Sequence, residues 1–321
     1  MKNLICFGAN RTCHHYDYFL LLKNLLQETD ICVKYTKDRF TKFKLLFRKD
    51  PVVFMDIDKY DLLFLPIILI RSLTTKKNFA ISVRTERLLS HQVKSFYDLI
   101  VLITKRTLFF ILKNFTNTIL ITTHNDQRGR LLLDSYVNAF IYDIQYWDIP
   151  YLNIDRIRPN KPVLSNIDFK NVILIPGRFN EQKSKSEFLD ALETNKDLTF
   201  LIAGKVDSDA IPKLKSYKNI LIIDEYLSNE ELLFLIEKSN YVYCYYPLNF
   251  DRPSGFFGRA IQYNRKTIVR KKSYLSREFN DFENVISIDS LISLKSKLNY
   301  SKGYKKLNLN SSEYLKQLIE E

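Results

Sequence analysis

From residue 171 onward the chain repeats one pattern: a short apolar run, a polar turn, a helical stretch, and the next apolar run. Strands are predicted at residues 171–176, 199–203, 219–223, 241–246, 267–270 and 284–288, with helical segments near 183–193, 228–238 and 255–264. Ser228 and Glu231 have the spacing of a capping box ahead of Leu232, Leu233, Leu235 and Ile236. Short βα repeats of this kind give a parallel sheet with helices on both faces. The first half carries the same pattern more loosely. Strands are predicted at residues 4–8, 31–35, 61–65, 79–83, 118–123 and 138–142, with an amphipathic helix around residues 19–26. Pro150, Pro159 and Pro162 mark a linker. The fold class is therefore α/β with two Rossmann-like domains, residues 1–160 and 161–300, followed by a Lys-rich helical tail at 301–321. A chain of 321 residues has room for both cores.

Glycine is scarce, with only 7 in the whole chain, yet Gly177, Gly204, Gly255 and Gly258 all fall at junctions of the second half. Gly177 ends the run Asn171-Val-Ile-Leu-Ile-Pro, and Arg178 and Lys183 follow it. An Arg fork and a Lys point charge at a strand's C-terminal end suit a diphosphate. Ligands of open α/β sheets bind in that crevice. The stretch Asp251-Arg-Pro-Ser-Gly-Phe-Phe-Gly-Arg-Ala-Ile follows another strand. Ser254 can cap the helix that begins there, and the free amides of residues 254–257 make an anion site. The same turns would also serve simply to connect elements.

The net charge of +13 calls for an acidic partner: nucleic acid, anionic lipid or a phosphorylated substrate. No zinc-finger, RNP-type or basic-zipper pattern is present, so nucleic acid is not expected. Cys6, Cys13, Cys32 and Cys244 show no paired spacing and read as thiols of a reducing compartment. The opening apolar run is too short for a signal peptide. The run at residues 62–70 contains Pro66 and falls short of the ~20 residues a membrane span needs. A cytoplasmic protein, or one on the inner face of the membrane, is expected. No His/Cys/Asp cluster has metal-ligand spacing, and no Walker loop, dinucleotide fingerprint or nucleophile elbow occurs.

The ordered series Ile173-Leu-Ile-Pro-Gly-Arg with Lys183, then Leu201-Ile-Ala-Gly, then Asp224-Glu-Tyr-Leu-Ser-Asn-Glu-Glu-Leu, and then residues 253–269 resembles the donor half of GT-B glycosyltransferases. The likeness is greatest to the large retaining family 4 (group 1), as a divergent member. It covers roughly residues 170–290. The resemblance implies two domains facing a cleft and a UDP- or GDP-linked sugar as co-substrate, with no cofactor and no metal. It places Arg178 and Lys183 on the diphosphate, joined by the amides of Ser254, Gly255, Phe256 and Phe257. Asp251 would touch the donor sugar, and the backbone near Glu225 and Tyr226 would read the base. Arg259 stands where the family has a ribose-binding Glu; it cannot accept hydrogen bonds and could pair with phosphate instead. Ser184 stands where a Gly follows the Lys.

In the first half the loop after the first strand would face the acceptor through Asn10, Arg11, His14 and His15. Glu86, His124 and Asp126 are candidates for acceptor base or donor-phosphate partner. Residues 93–114 are apolar with interspersed Lys94, Lys105, Arg106 and Lys113. They form either a membrane-docking surface for anionic head groups or one or two core helices, and the continuity of the run favours the core. The resulting expectation is sugar transfer to a hydroxyl of a glycan acceptor, lipid-linked, in bacterial surface polysaccharide assembly such as capsule or O-antigen. The retaining outcome is implied by the resemblance alone. Two alternatives stand beside it. One is a binding protein of the same fold without catalysis. The other is a metal-dependent GT-A transferase using Asp56 and Asp58; Asp207 and Asp209 match the same short acidic pattern, which arises often by chance.

Overall fold

A computed structural model describes residues 2–7, 18–20, 22–23, 26, 30–36, 41–55, 57–74, 76–82, 85–88, 95–122, 127–142, 164, 167–250, 254–298, 317 and 319. The chain divides into two units, Met1–Tyr151 with Asn308–Glu321, and Leu152–Leu307.

The first unit is built on six parallel strands: β1 (Lys2–Phe7), β2 (Ile31–Thr36), β3 (Val52–Phe54), β4 (Asn78–Ile81), β5 (Thr118–Thr122) and β6 (Phe140–Tyr142), in the order β2-β1-β3-β4-β5-β6. Its strands are apolar on both faces because helices cover both. Leu4 and Cys6 of β1 enter one core with Val53, Ile81 and Ile319; Ile5 and Phe7 enter the other with Phe54 and Leu120. Four helices are described: α1 (Thr41–Phe47), α2 (Ile57–Leu73), α3 (Phe96–Phe115) and α4 (Gln127–Tyr136).

The run at 61–65 is not a strand: it lies inside α2, and β3 comes from the shorter Val52–Phe54. A continuous apolar run has no period with which to tell a buried strand from a buried helix. Pro66 sits within α2 on its exposed side, where the carbonyl that loses an N–H donor can reach water. Of the two readings offered for residues 93–114, Lys105 follows the core one: it is 2% exposed and forms an ion pair with Asp58 between α2 and α3. Asp58 also accepts from Ser82 Oγ at 2.7 Å. Arg106 donates to the carbonyl of Leu88, and Lys113 to that of Asp134. Lys94 lies outside the described residues. The run at 93–114 is one helix from Phe96, capped by Ser95, whose Oγ accepts from the Asp98 amide at 3.1 Å.

The second unit has β7 (Val172–Pro176), β8 (Thr199–Ala203), β9 (Ile220–Ile223), β10 (Tyr241–Cys244), β11 (Lys266–Arg270) and β12 (Val285–Ile288), all parallel, in the order β12-β11-β10-β7-β8-β9. The helices are α5 (Lys185–Thr194), α6 (Ile211–Lys215), α7 (Asn229–Lys238), α8 (Gly255–Gln262), α9 (Tyr274–Glu278) and α10 (Leu294–Leu298). The capping box on α7 is present in both halves, the Ser228 amide donating to Glu231 at 2.8 Å. The chain runs outward from β7 through β8 to β9, then returns to the other side of β7 with β10. The strand order therefore reverses between β7 and β10, and in open α/β sheets ligands bind at the C-terminal ends of the strands at such a point.

Candidate functional site

At that reversal point β7 is followed by Gly177, held at φ +79, and β8 by Gly204, at φ +145. Their backbones touch: a Cβ on Gly204 would lie 2.3 Å from the Gly177 carbonyl oxygen. The Gly177 amide donates to the Ala203 carbonyl at 2.8 Å, and the Phe179 amide to that of Lys205 at 2.8 Å, so the ladder outlasts the strands. The turn after β7 then places Lys183 at the end of a short 3-10 segment, Glu181–Lys183.

Lys183 is 5% exposed, and among the described residues its ammonium has no hydrogen-bond or ion-pair partner. Two aromatic rings flank it instead. Nζ lies 4.8 Å from the centre of the Tyr246 ring and 5.0 Å from that of Phe256. Cation–π attraction offsets part of the desolvation cost but supplies no counter-charge. Burial pushes the Lys183 ammonium down to about 8. The adjoining Cys244 thiol is pushed up to about 12 by the same burial. Tyr243 fixes the backbone, its hydroxyl donating to the Lys183 carbonyl at 2.8 Å.

The third wall is the start of α8. Ser254 caps it, Oγ accepting from the Phe257 amide at 3.4 Å, and is paired with the Tyr246 hydroxyl at 2.7 Å. The amides of Gly255 and Phe256 have no partner within the helix. The Phe256 ring fills the space that the missing Gly177 side chain leaves, 2.6 Å from where a Cβ would stand. Gly177, Lys183, Tyr246, Ser254 and Phe256 thus meet at one place, the candidate hollow for a ligand.

The other residues singled out in the sequence are placed differently. Arg178 is 70% exposed, and its Nε and Nη2 both donate to Asp207 Oδ1, at 3.1 and 3.0 Å. It stands one residue past Gly177, tied to the loop after β8. Phe257 is core, stacked on Phe279 at 4.8 Å, with its amide already taken by Ser254. Arg259 is buried, with Nη2 3.5 Å from Asn229 Oδ1 in the first turn of α7. Glu225 is half-buried and Tyr226 is 88% exposed, both following β9. Asp251, His124, Asp126, Asn10, Arg11, His14 and His15 lie outside the described residues, as does the side chain of Glu86.

The acidic pairs of the metal-dependent alternative are engaged elsewhere. Asp58 holds Lys105, Asp207 holds Arg178, Asp209 holds Lys185, and Asp56 lies outside the described residues. Among the described residues no three His, Cys, Asp or Glu side chains group as a metal site.

Tyr246 was read in the sequence as part of a strand at 241–246. The strand stops at Cys244, and the last two tyrosines serve the hollow and its support. Arg270, at the end of β11, offers one signal in the sequence: a charge terminating a buried strand.

Two doubly wound parallel units of this kind constitute the GT-B fold. No protein-family model and no curated protein sequence matches the chain. Among solved structures it is similar to the UDP-GlcNAc 2-epimerase of Methanocaldococcus jannaschii, with TM-score 0.61 and 14% identity over 100% of this chain and 99% of that one. It is also similar to the S. aureus MnaA–UDP co-structure, with TM-score 0.57 and 14% identity over 100% and 96% of the two chains. A third is Anabaena HepE in complex with UDP and glucose, with TM-score 0.52 and 12% identity over 93% and 89%. At these identities the likeness is one of fold.

Proposed function

We propose that the chain is a glycosyltransferase that takes its sugar from a nucleoside-diphosphate donor held by the second unit. The observation that carries this reading is the buried Lys183 ammonium, which has no counter-ion among the described residues and lies beside the start of α8, where the Gly255 and Phe256 amides have no partner within the helix. A diphosphate placed there would supply the missing negative charge. As the sugar–oxygen bond breaks, charge grows on the leaving diphosphate, and a preorganised ammonium with main-chain donors stabilises it without rearrangement. Arg178 would join by exchanging Asp207 for phosphate. The transfer would be to a glycan hydroxyl with retention, independent of metal. Calorimetric titration with UDP, GDP and their sugars, then turnover with and without EDTA, tests this; failure of every nucleotide to bind would end it.

A second reading is acceptor-independent chemistry on a nucleotide-sugar. It is favoured by whole-length similarity to an enzyme that epimerises UDP-GlcNAc. Proton NMR of a UDP-sugar incubated with the protein alone separates the two, since a new epimer without acceptor supports this second reading. A third possibility, binding without turnover, would appear as affinity with an unchanged spectrum.

The acceptor side of the proposal rests on α3. Phe96, Ile100, Ile103 and Phe110 recur at helical spacing and are all exposed. Among the described residues no helix is long and apolar enough to cross a membrane. An apolar ridge on a strongly basic chain suits the surface of an anionic bilayer, where a lipid-linked glycan of polysaccharide assembly would be met. Co-sedimentation with phosphatidylglycerol vesicles, abolished by Ile100→Glu with Ile103→Glu, is the outcome this requires.

A further inference from the structure

The ammonium of Lys183 is confined by residues that are themselves held from one point. Arg270, the last residue of β11, sends Nε to the Tyr246 carbonyl at 2.8 Å and Nη2 to Ser184 Oγ at 2.9 Å and Glu187 Oε1 at 2.7 Å. Its guanidinium carbon lies 4.0 Å from the centre of the Tyr245 ring. The Tyr245 hydroxyl in turn donates to Glu187 Oε2 at 3.1 Å and to the Asp289 carbonyl at 2.9 Å. One planar cation therefore ties the end of β10, the residue after Lys183 and the first turn of α5.

Two of those ties adjoin the hollow directly. Tyr246 is one wall of the space around the ammonium, and Ser184 follows Lys183 in the chain. Ser184 also has a left-handed backbone, φ 52 and ψ 51, which a residue with a Cβ adopts at a cost. Its hydroxyl bond to Arg270 helps hold that conformation, which a glycine would adopt without help. The Tyr243 bond to the Lys183 carbonyl fixes the other side.

We propose that Arg270 is a positioning residue: its forked grip on Ser184, Glu187 and the Tyr246 carbonyl sets the gap in which Lys183 meets an anionic ligand. The proposal rests on the diphosphate reading of that hollow for its ligand, but not for its geometry. A Lys at 270 keeps the charge and loses the fork, and a Gln loses both. In either variant Tyr246 and the Lys183 turn are released from each other, water reaches the ammonium, and its titration moves back toward that of an ordinary lysine. Among the described residues the groups facing Lys183 are Tyr246, Phe256 and the Cys244 thiol, with no carboxylate between them.

The test uses the full chain with Arg270→Lys and Arg270→Gln. NMR of labelled lysine side chains, with Lys183→Arg for assignment, follows the titration of Lys183 in the unliganded protein. Calorimetry measures UDP affinity, with Lys183→Met as the comparison. The expected result is a clear rise in the Lys183 midpoint in both variants and UDP affinity lower by about tenfold or more. A midpoint unmoved in both folded variants, with UDP affinity within about threefold of the parent protein, overturns the proposal. Should Arg270→Gln fail to fold, Arg270→Lys decides it. If UDP binds neither the parent protein nor any variant, the diphosphate reading fails, and the lysine titration still decides the role of Arg270.

Discussion

Lys183 lies under Phe256, its ammonium 5.0 Å from the ring centre, and burial rather than any opposing charge governs its ionisation. Such a charge is costly to the unliganded fold. The displacement from an ordinary lysine's 10.5 to about 8 corresponds to about 3 kcal/mol. Lys183→Met, which keeps the length and removes the charge, is expected to raise stability at pH 7 by ~1–3 kcal/mol in denaturant unfolding. The same variant is expected to lose UDP binding. A variant that unfolds more easily and still binds UDP contradicts both halves.

The sign of the pH dependence follows from the same displacement. Between about pH 8 and 10.5 the unfolded chain holds a proton at this lysine that the folded chain has released. Stability contributed through Lys183 therefore rises with pH across that window and is lowest below it. Ligand binding runs the other way, because a diphosphate needs the protonated form. UDP affinity is expected to fall as pH rises through about 8, and titrations between pH 6.5 and 9.5 would show it. A flat profile across that range would remove Lys183 from the binding site.

Gly204 and Gly177 are predicted to differ sharply in their tolerance of a methyl group. At Gly204 the added carbon meets the Gly177 carbonyl oxygen at 2.3 Å, a backbone atom that cannot yield without parting β7 from β8. Gly204→Ala should cost ~3 kcal/mol or more by denaturant unfolding. At Gly177 the obstacle is the tip of the Phe256 ring at 2.6 Å, which can swing, leaving mainly the ~1–2 kcal/mol of a left-handed backbone. Equal losses at the two glycines would show that the contact between the strand ends does not matter.

The second unit was legible because its strands are short, separated by turn residues, and bounded by glycines with positive φ. Every strand there was predicted within two residues of its place, and the short helices α6, α9 and α10 were the ones overlooked. The first unit was less so. Its 17-residue α2 reads as a continuous apolar run whose strand-like segment at 61–65 cannot be told from helix without its neighbours. At the site, Lys183 and Ser254 stand out locally, since a basic residue after a Gly-ended strand and a capping Ser have fixed offsets. Tyr246 and Arg270 do not, because what matters about them is a meeting of segments 86 residues apart, as between Ser184 and Arg270. Nor could the sequence say that Lys105, one of four cations in an apolar run, turns inward onto Asp58.

That inward turn gives the last prediction. Asp58 and Lys105 are both almost wholly buried, with side chains 5% and 3% exposed, and they form an ion pair. Removing one partner leaves the other charge in a low-dielectric interior, so Lys105→Met should cost ~3–5 kcal/mol. Replacing both at once, as Asp58→Leu with Lys105→Met, removes the uncompensated charge and should recover most of that loss, although Ser82 then loses its acceptor. A double-variant cycle by urea unfolding measures the coupling. If Lys105 instead pointed outward to lipid head groups, its single substitution would leave the urea midpoint unchanged and weaken vesicle binding. A large stability loss with intact vesicle binding is the result the buried pair requires.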